Sequence, residues 1–126
     1  MGWIKIYIFD SSAIIEILKD DKEVTNKYKD SIVITINLTY GEVYYYCLKN
    51  GLDIRKFKEI KMDLINYNLE DIEKAMEFLF KRKREVKNFS FIDAMIYTAA
   101  IKNNLILVSK DYDFLGLKNV EIIKNL

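Results

Sequence analysis

The chain has 126 residues, of which 51% are hydrophobic, and its 20 basic and 19 acidic side chains give a formal net charge of +1. This is the composition of a globular domain, and the balanced charge gives no overall electrostatic signature of nucleic-acid binding. The sequence has no histidine and one cysteine, Cys47, which excludes a Ser-His-Asp triad, an internal disulfide and the usual catalytic zinc sites.

A single domain over residues 1–126 is expected, because no low-complexity stretch, repeat or linker divides the sequence. No apolar run approaches the length of a membrane span, and charged residues interrupt the N-terminus where a signal peptide would be apolar. Together with the lone thiol, these features predict a cytoplasmic protein that does not enter a membrane.

The first half of the sequence alternates between strand and helix patterns. Residues 4–9 are rich in β-branched and aromatic side chains, which predicts a strand, and residues 10–12 form a typical helix start. The pattern then predicts a helix with an apolar stripe over 14–18, a short surface helix within 19–31, a strand over 32–36, a helix over 39–50 that ends before Gly51, and a helix over 54–61.

The second half continues the alternation. It predicts a strand over 64–68, helices over 71–86 and 90–103, and strands over 105–108 and 120–123. The stronger strands are continuously apolar, which is typical of parallel sheets covered by helices on both faces. We therefore predict a three-layer α/β/α sandwich, in which ligands bind beyond the carboxyl ends of the strands.

Four acidic residues fall where such a fold places a ligand site. Asp10 and Asp111 come soon after predicted strands, and Glu42 and Asp93 lie in predicted first helical turns, where the helix dipole favours an ionised carboxylate. Four carboxylates in one pocket would repel one another unless a cation neutralised them. Because oxygen ligands suit hard dications, we predict a Mg²⁺ or Mn²⁺ site.

Each acid also has a purely structural interpretation. The pairs Thr39/Glu42 and Ser90/Asp93 have the spacing of capping boxes. Asp10 can act as a helix N-cap, and Asp111 can open a turn with Asp113. Capping and metal binding are compatible, so both interpretations stay open.

Four segments resemble, in order, the motifs of PIN-domain nucleases, and most nearly those of VapC toxins from prokaryotic toxin–antitoxin pairs. They are YIFDSSA at 7–13, LTYGEV at 38–43, SFIDA at 90–94 and LVSKDYDF at 107–114. The resemblance implies a five-stranded parallel sheet in the order 3-2-1-4-5. It also implies cleavage of single-stranded or loop RNA that depends on one or two Mg²⁺ or Mn²⁺ ions.

By this resemblance Asp10, Glu42 and Asp93 are the core metal ligands and catalytic residues, and Asp111 is the fourth acid. Neighbouring residues are expected to support these ligands, and they are Ser11, Ser12, Ser109 and Asp113. Asp113 is also the alternative to Asp111 as the fourth acid. The expected partners are RNA, a protein antitoxin that neutralises the acids, and a second copy of the chain.

Basic residues should line the path of RNA to an acidic site, and the candidates are Lys110, Arg82, Arg84 and Arg55. Two of them belong to the basic run at 81–84, which could equally complement a helix C-terminus in solvent. The three tyrosines at 44–46 point in different directions on a helix, so packing is favoured over base stacking for at least two of them.

Other functions remain open from the sequence. A housekeeping RNA-processing nuclease would carry the same acids, and a non-catalytic interaction module would use them only as caps. An aspartyl-phosphate phosphatase is disfavoured, because Ser12 stands where that mechanism needs a second acid. No phosphate-binding loop with the P-loop pattern is present.

Overall fold

Residues 4–124 are described by the computed structural model, and strands alternate with helices along them. No helix in this range is long and apolar enough to cross a lipid bilayer. The strands are β1 (Tyr7–Phe9), β2 (Val33–Ile36), β3 (Met62–Ile65), β4 (Ile106–Ser109) and β5 (Val120–Ile122). The helices are α1 (Ser11–Leu18), α2 (Lys22–Tyr28), α3 (Asn37–Asn50), α4 (Ile54–Glu59), α5 (Leu69–Arg82) and α6 (Phe91–Lys102), with a 3₁₀ turn at Tyr112–Phe114.

The strands form one parallel five-stranded sheet in the order β3-β2-β1-β4-β5, which confirms the predicted order. β1 is central, with Phe9 opposite Val108 of β4 and Ile8 opposite Ile34 of β2. Because the strands are parallel, their carboxyl ends meet at one edge of the sheet, where α/β folds bind ligands.

Successive residues of the central strands pack on opposite faces of the sheet. Ile8 and Leu107 belong to a buried cluster with residues of α5 and α6, whereas Phe9 and Val108 belong to a second cluster with residues of α1 and α3. This alternation is the two-residue period of a strand. It produces the predicted helix–sheet–helix layering.

Several predicted boundaries were wrong: β1 begins at Tyr7 rather than at residue 4, α5 ends at Arg82 rather than at residue 86, and the bounds of β3 and the start of α5 also differ. β3 lies at Met62–Ile65 rather than 64–68, because it is an edge strand whose exposed Asp63 and Leu64 give a weak burial pattern. α5 begins before the predicted residue 71, because Asn68 caps it by accepting a hydrogen bond from the backbone N–H of Asp71 at 2.9 Å.

Candidate functional site

The first predicted acid lies at the centre of the sheet edge. Asp10 directly follows β1, is 8% exposed, and caps α1 by accepting a hydrogen bond from the backbone N–H of Ala13 at 3.0 Å. The hydroxyl of Ser12 donates to its Oδ1 at 2.6 Å, and the hydroxyl of Ser109 donates to its Oδ2. Both carboxylate oxygens are therefore held in place from two different elements.

The same two serines connect β1 to the loop that follows β4. Ser12 Oγ accepts from the backbone N–H of Lys110 at 2.8 Å, and Ser109 Oγ accepts from the backbone N–H of Asp111 at 2.9 Å. Each hydroxyl thus accepts from the loop and donates to Asp10. A shift of Asp10 would therefore be transmitted through these two hydroxyls to the loop that carries Asp111.

Burial makes the charge of Asp10 costly. Desolvation raises the pKa of Asp10 from 3.8 to about 6, outweighing the hydrogen bonds from Ser109, Ser12 and Ala13 that lower it, and the negative charge of Asp93 raises it further. Perturbed acids of this kind are frequent in functional sites.

Asp93 lies in the first turn of α6, as predicted. Its carboxylate accepts from the backbone N–H of Ser90 at 2.9 Å, and Ser90 Oγ accepts from the backbone N–H of Asp93 at 3.0 Å, which confirms the predicted capping box. Desolvation raises the pKa of Asp93, and the negative charges of Asp111 and Asp113 raise it further, while the hydrogen bonds with Ser90 lower it. The cap therefore coexists with repulsion from two neighbouring acids.

The loop after β4 brings two acids to Asp93 rather than one. Asp111 caps the 3₁₀ turn by accepting from the backbone N–H of Asp113 at 2.8 Å, so the predicted turn between them is also confirmed. One carboxylate oxygen from each of Asp93, Asp111 and Asp113 lies within 4.8 Å of the other two. A single cation placed among them can contact all three groups.

The expected capping box at the start of α3 was wrong. α3 begins at Asn37, and its N-cap, Ile36, has no side chain that can cap. The hydroxyl of Thr39 is instead buried, with no hydrogen-bond partner in residues 4–124. Glu42 consequently lies in the second turn of the helix rather than the first.

Despite this shift, Glu42 reaches the same acidic environment from α3. Its side chain lies at the exposed margin of the site. Desolvation raises its pKa, and the negative charges of Asp93 and Asp10 raise it further, whereas a hydrogen bond with Ser11 lowers it. Asp93 thus interacts with every other acid of the site.

The chemistry of this donor set fits a hard divalent cation. All the converging groups are carboxylates, and neither histidine nor an accessible thiol is available, since Cys47 is fully buried in the core. Carboxylate oxygens are the ligands that Mg²⁺ and Mn²⁺ prefer. The cluster of Asp93, Asp111 and Asp113 is therefore able to hold such an ion.

The four basic candidates have different surroundings. Lys110 Nζ pairs with Glu16 Oε1 at 2.8 Å, and Arg82 is only 11% exposed and donates to backbone carbonyls of the loop after β4. Arg55 and Arg84 have exposed side chains, and the guanidinium of Arg84 lies over an aromatic ring. Of the four, Arg55 and Arg84 are therefore the candidates with exposed side chains.

Two of the three consecutive tyrosines also differ in their exposure to solvent. Tyr44 packs against Phe57, with ring centroids 6.4 Å apart, whereas Tyr45 is 67% exposed. Two other exposed aromatic residues, Phe91 and Tyr112, were missed in the sequence. Their position in the sequence could have indicated them, because each lies within two residues of an acid of the site.

The PIN domain family model matches residues 7–119 of the chain. The sequence has no significant match among curated proteins.

Several solved structures share the fold. A toxin–antitoxin complex from Klebsiella pneumoniae is 20% identical, with a TM-score of 0.73 over 91% of this chain and 95% of that one. VapBC2 from Rickettsia felis, bound to a DNA fragment from its promoter, is 15% identical, with a TM-score of 0.72 over 94% and 97% of the two chains. VapC20 from Mycobacterium tuberculosis, a sarcin–ricin loop cleaving toxin, is 17% identical, with a TM-score of 0.61 over 88% and 91%.

Proposed function

The chain belongs to the PIN domain family, and from this premise we propose that it is a divalent-cation-dependent endoribonuclease and the toxin of a toxin–antitoxin pair. The observation that carries the proposal is the grouping of Asp93, from the first turn of α6, with Asp111 and Asp113 of the loop after β4. Asp10, Glu42, Asp93 and the loop acids Asp111 and Asp113 are coupled electrostatically, and three of them offer oxygens within 4.8 Å of one another.

The proposed cation ligands are Asp10, Glu42, Asp93 and Asp111, with Asp113 as a further candidate beside Asp111. When bound, Mg²⁺ or Mn²⁺ supplies Lewis-acid stabilisation of phosphate oxygens and lowers the pKa of water, so hydrolysis needs no histidine. The carboxylates would also draw the cation to the sheet edge, because the cost of crowding their negative charges falls when it binds.

The polypeptide's own contribution is to hold these acids in place. The Ser12 and Ser109 hydroxyls fix Asp10 against the loop after β4. The cap on α6 restricts Asp93. Such hydrogen bonds around a ligand orient its oxygens before the ion arrives.

Exposed aromatic rings favour RNA with unpaired bases as the substrate. Tyr112, which is 59% exposed, lies between Asp111 and Asp113, and Phe91, which is 45% exposed, lies two residues before Asp93. Bases that are free of a duplex can stack on such rings, and this stacking tolerates different sequences. Arg84 and Arg55 are the proposed phosphate contacts, because their side chains are exposed.

The proposed antitoxin would cover the site from the side of α1 and α3. A surface groove of about 270 Å³ lies there, lined by Ser11, Ile15, Glu42, Tyr45, Tyr46 and Lys49. A peptide in this groove would reach Glu42, and a basic side chain on it would neutralise the acids. Exposed apolar residues elsewhere, such as Ile32 and Phe80, offer area for the proposed homodimer.

A non-catalytic module is the second candidate, because Asp10, Asp93 and Asp111 all act as caps. Incubation of the purified protein with single-stranded RNA and Mn²⁺ separates the two functions. The nuclease proposal predicts cleavage that EDTA stops and that Asp93→Asn abolishes, while Asp21→Asn, a change at an N-cap on α2 outside the site, leaves the activity intact. Equal cleavage by the Asp93 variant, or none by the wild type, would contradict the proposal.

A further inference from the structure

Arg82, the last residue of α5, extends to the loop that carries two of the site's acids. Its Nη2 donates to the backbone carbonyl of Asp113 at 2.8 Å and to that of Leu115 at 3.1 Å. These carbonyls lie more than 30 positions along the chain from Arg82. The contact therefore joins the helical layer directly to the metal-site loop.

An ion pair and an aromatic ring hold the Arg82 guanidinium, although its buried Nε has no hydrogen-bond partner in residues 4–124. Only 11% of the Arg82 side chain is exposed, and Nη1 pairs with Glu85 at 3.3 Å. Its Cζ lies 5.7 Å from the centroid of the Phe89 ring, which is fully buried and packs edge-on against Phe114 at 5.3 Å. Phe114 is the residue between the two carbonyls, so the loop is fixed through both its backbone and its side chain.

The way in which Arg82 binds leaves the acids free. Its hydrogen bonds go to carbonyl oxygens, and the ion pair that it forms within residues 4–124 is with Glu85, not with an acid of the site. An arginine that paired with the carboxylates would compete with a metal ion for their oxygens. Arg82 instead supplies a buried positive charge and a fixed loop while the carboxylate oxygens stay available.

We infer that Arg82 is a positioning residue for divalent-cation binding: it holds the loop after β4 so that Asp111 and Asp113 stay beside Asp93 despite their mutual repulsion. This inference rests on the proposed function, because it assigns Arg82 to the same cation site. Removal of groups that orient metal ligands typically weakens metal affinity about 10-fold to 100-fold. A residue that only stabilised the fold would change the amount of folded protein but not the affinity of what remains.

The test is calorimetric titration of Mn²⁺ into metal-free wild-type protein, Arg82→Ala and Lys81→Ala, with folding checked by circular dichroism. Lys81 is the matched control, because it carries the same charge next to Arg82 on α5 but is exposed, and it is neither a proposed metal ligand nor a proposed RNA contact. We expect the dissociation constant to rise about tenfold or more for Arg82→Ala and to stay at the wild-type value for Lys81→Ala. In RNA cleavage, the Mn²⁺ concentration for half-maximal rate should shift by the same factor, with the rate at saturating Mn²⁺ largely recovered.

A second variant, Arg82→Lys, keeps the charge and the aliphatic stem but lacks the planar group that reaches both Glu85 and the loop. We expect affinity between those of the alanine variant and the wild type, and this variant serves as the test if the alanine variant does not fold. Wild-type Mn²⁺ affinity in the folded variants, or failure of both to fold, would overturn the inference. If the wild type itself binds no Mn²⁺, the proposed function fails instead, so the two failures are distinguishable.

Discussion

Replacing Asp10 with asparagine should make the metal-free protein more stable at neutral pH. Asp10 is 8% exposed, and its pKa is raised from 3.8 to about 6 mainly by desolvation. Ionising it in the folded state therefore costs about 3 kcal/mol, at about 1.4 kcal/mol per pKa unit. Asparagine has no charge and remains a good N-cap for α1.

Part of this gain is offset by a hydrogen-bond mismatch. The amide oxygen of asparagine can still accept from Ser12 and Ala13, but its NH₂ group replaces the oxygen to which Ser109 donates. Because the Ser109 hydroxyl loses its acceptor and faces an NH₂ donor instead, this mismatch costs about 1 kcal/mol. The net expected stabilisation by Asp10→Asn is about 2 kcal/mol at pH 7 in EDTA.

Urea unfolding at several pH values measures this effect. A raised pKa in the folded state means that the wild type is penalised only where Asp10 is ionised, so its disadvantage should grow between about pH 4 and pH 6 and vanish below that range. Saturating Mn²⁺ should reverse the order, because it stabilises only the protein that binds it. The control is Asp21→Asn, an N-cap change on α2 outside the site.

Lower stability of the Asp10 variant at pH 7 in EDTA, or a difference that does not change with pH, would refute this reasoning. It would mean that the hydrogen bonds at Asp10, rather than the burial of its charge, decide its energetics.

Three further predictions follow from the same geometry. Mn²⁺ affinity should increase as pH rises from 5 to 7, because the pKa of Asp10 is raised to about 6 and the carboxylate must lose its proton to bind metal; calorimetry at each pH checks this, and a flat profile would contradict it. Asp93→Asn should abolish RNA cleavage with little loss of helix content by circular dichroism, because asparagine can keep the amide oxygen in the α6 cap. Tyr112→Ala should raise KM for single-stranded RNA about tenfold, from the loss of one stacked base, whereas Tyr112→Phe should retain the wild-type KM; equal KM values for both variants would remove the stacking role.

Local signals explain why much of the fold and part of the site could be predicted. The continuously apolar central strands indicated a parallel sheet, and the capping box at Ser90 placed Asp93 correctly in the first turn of α6. The start of α3 was misplaced because Thr39 and Glu42 have capping spacing, although Thr39 is buried and the helix begins at Asn37.

What could not be predicted depends on contacts between distant segments. Arg82 and Arg84 are indistinguishable within one basic run, and only the packing of α5 against the loop after β4 buries the first and exposes the second. Likewise, Asp111 and Asp113 are both plausible fourth acids in the sequence. The turn between them places a carboxylate oxygen of each within 4.8 Å of one on Asp93.

The location of a bound dication tests the central claim most directly. Crystals of the protein grown with Mn²⁺, measured at the manganese absorption edge, give an anomalous peak wherever the ion is ordered. We expect that peak at the carboxyl edge of the sheet, within coordination distance of Asp93 and of Asp111 or Asp113, and its loss in Asp93→Asn. A peak elsewhere on the molecule, or none at saturating Mn²⁺, would contradict a shared metal site and with it the proposed nuclease chemistry.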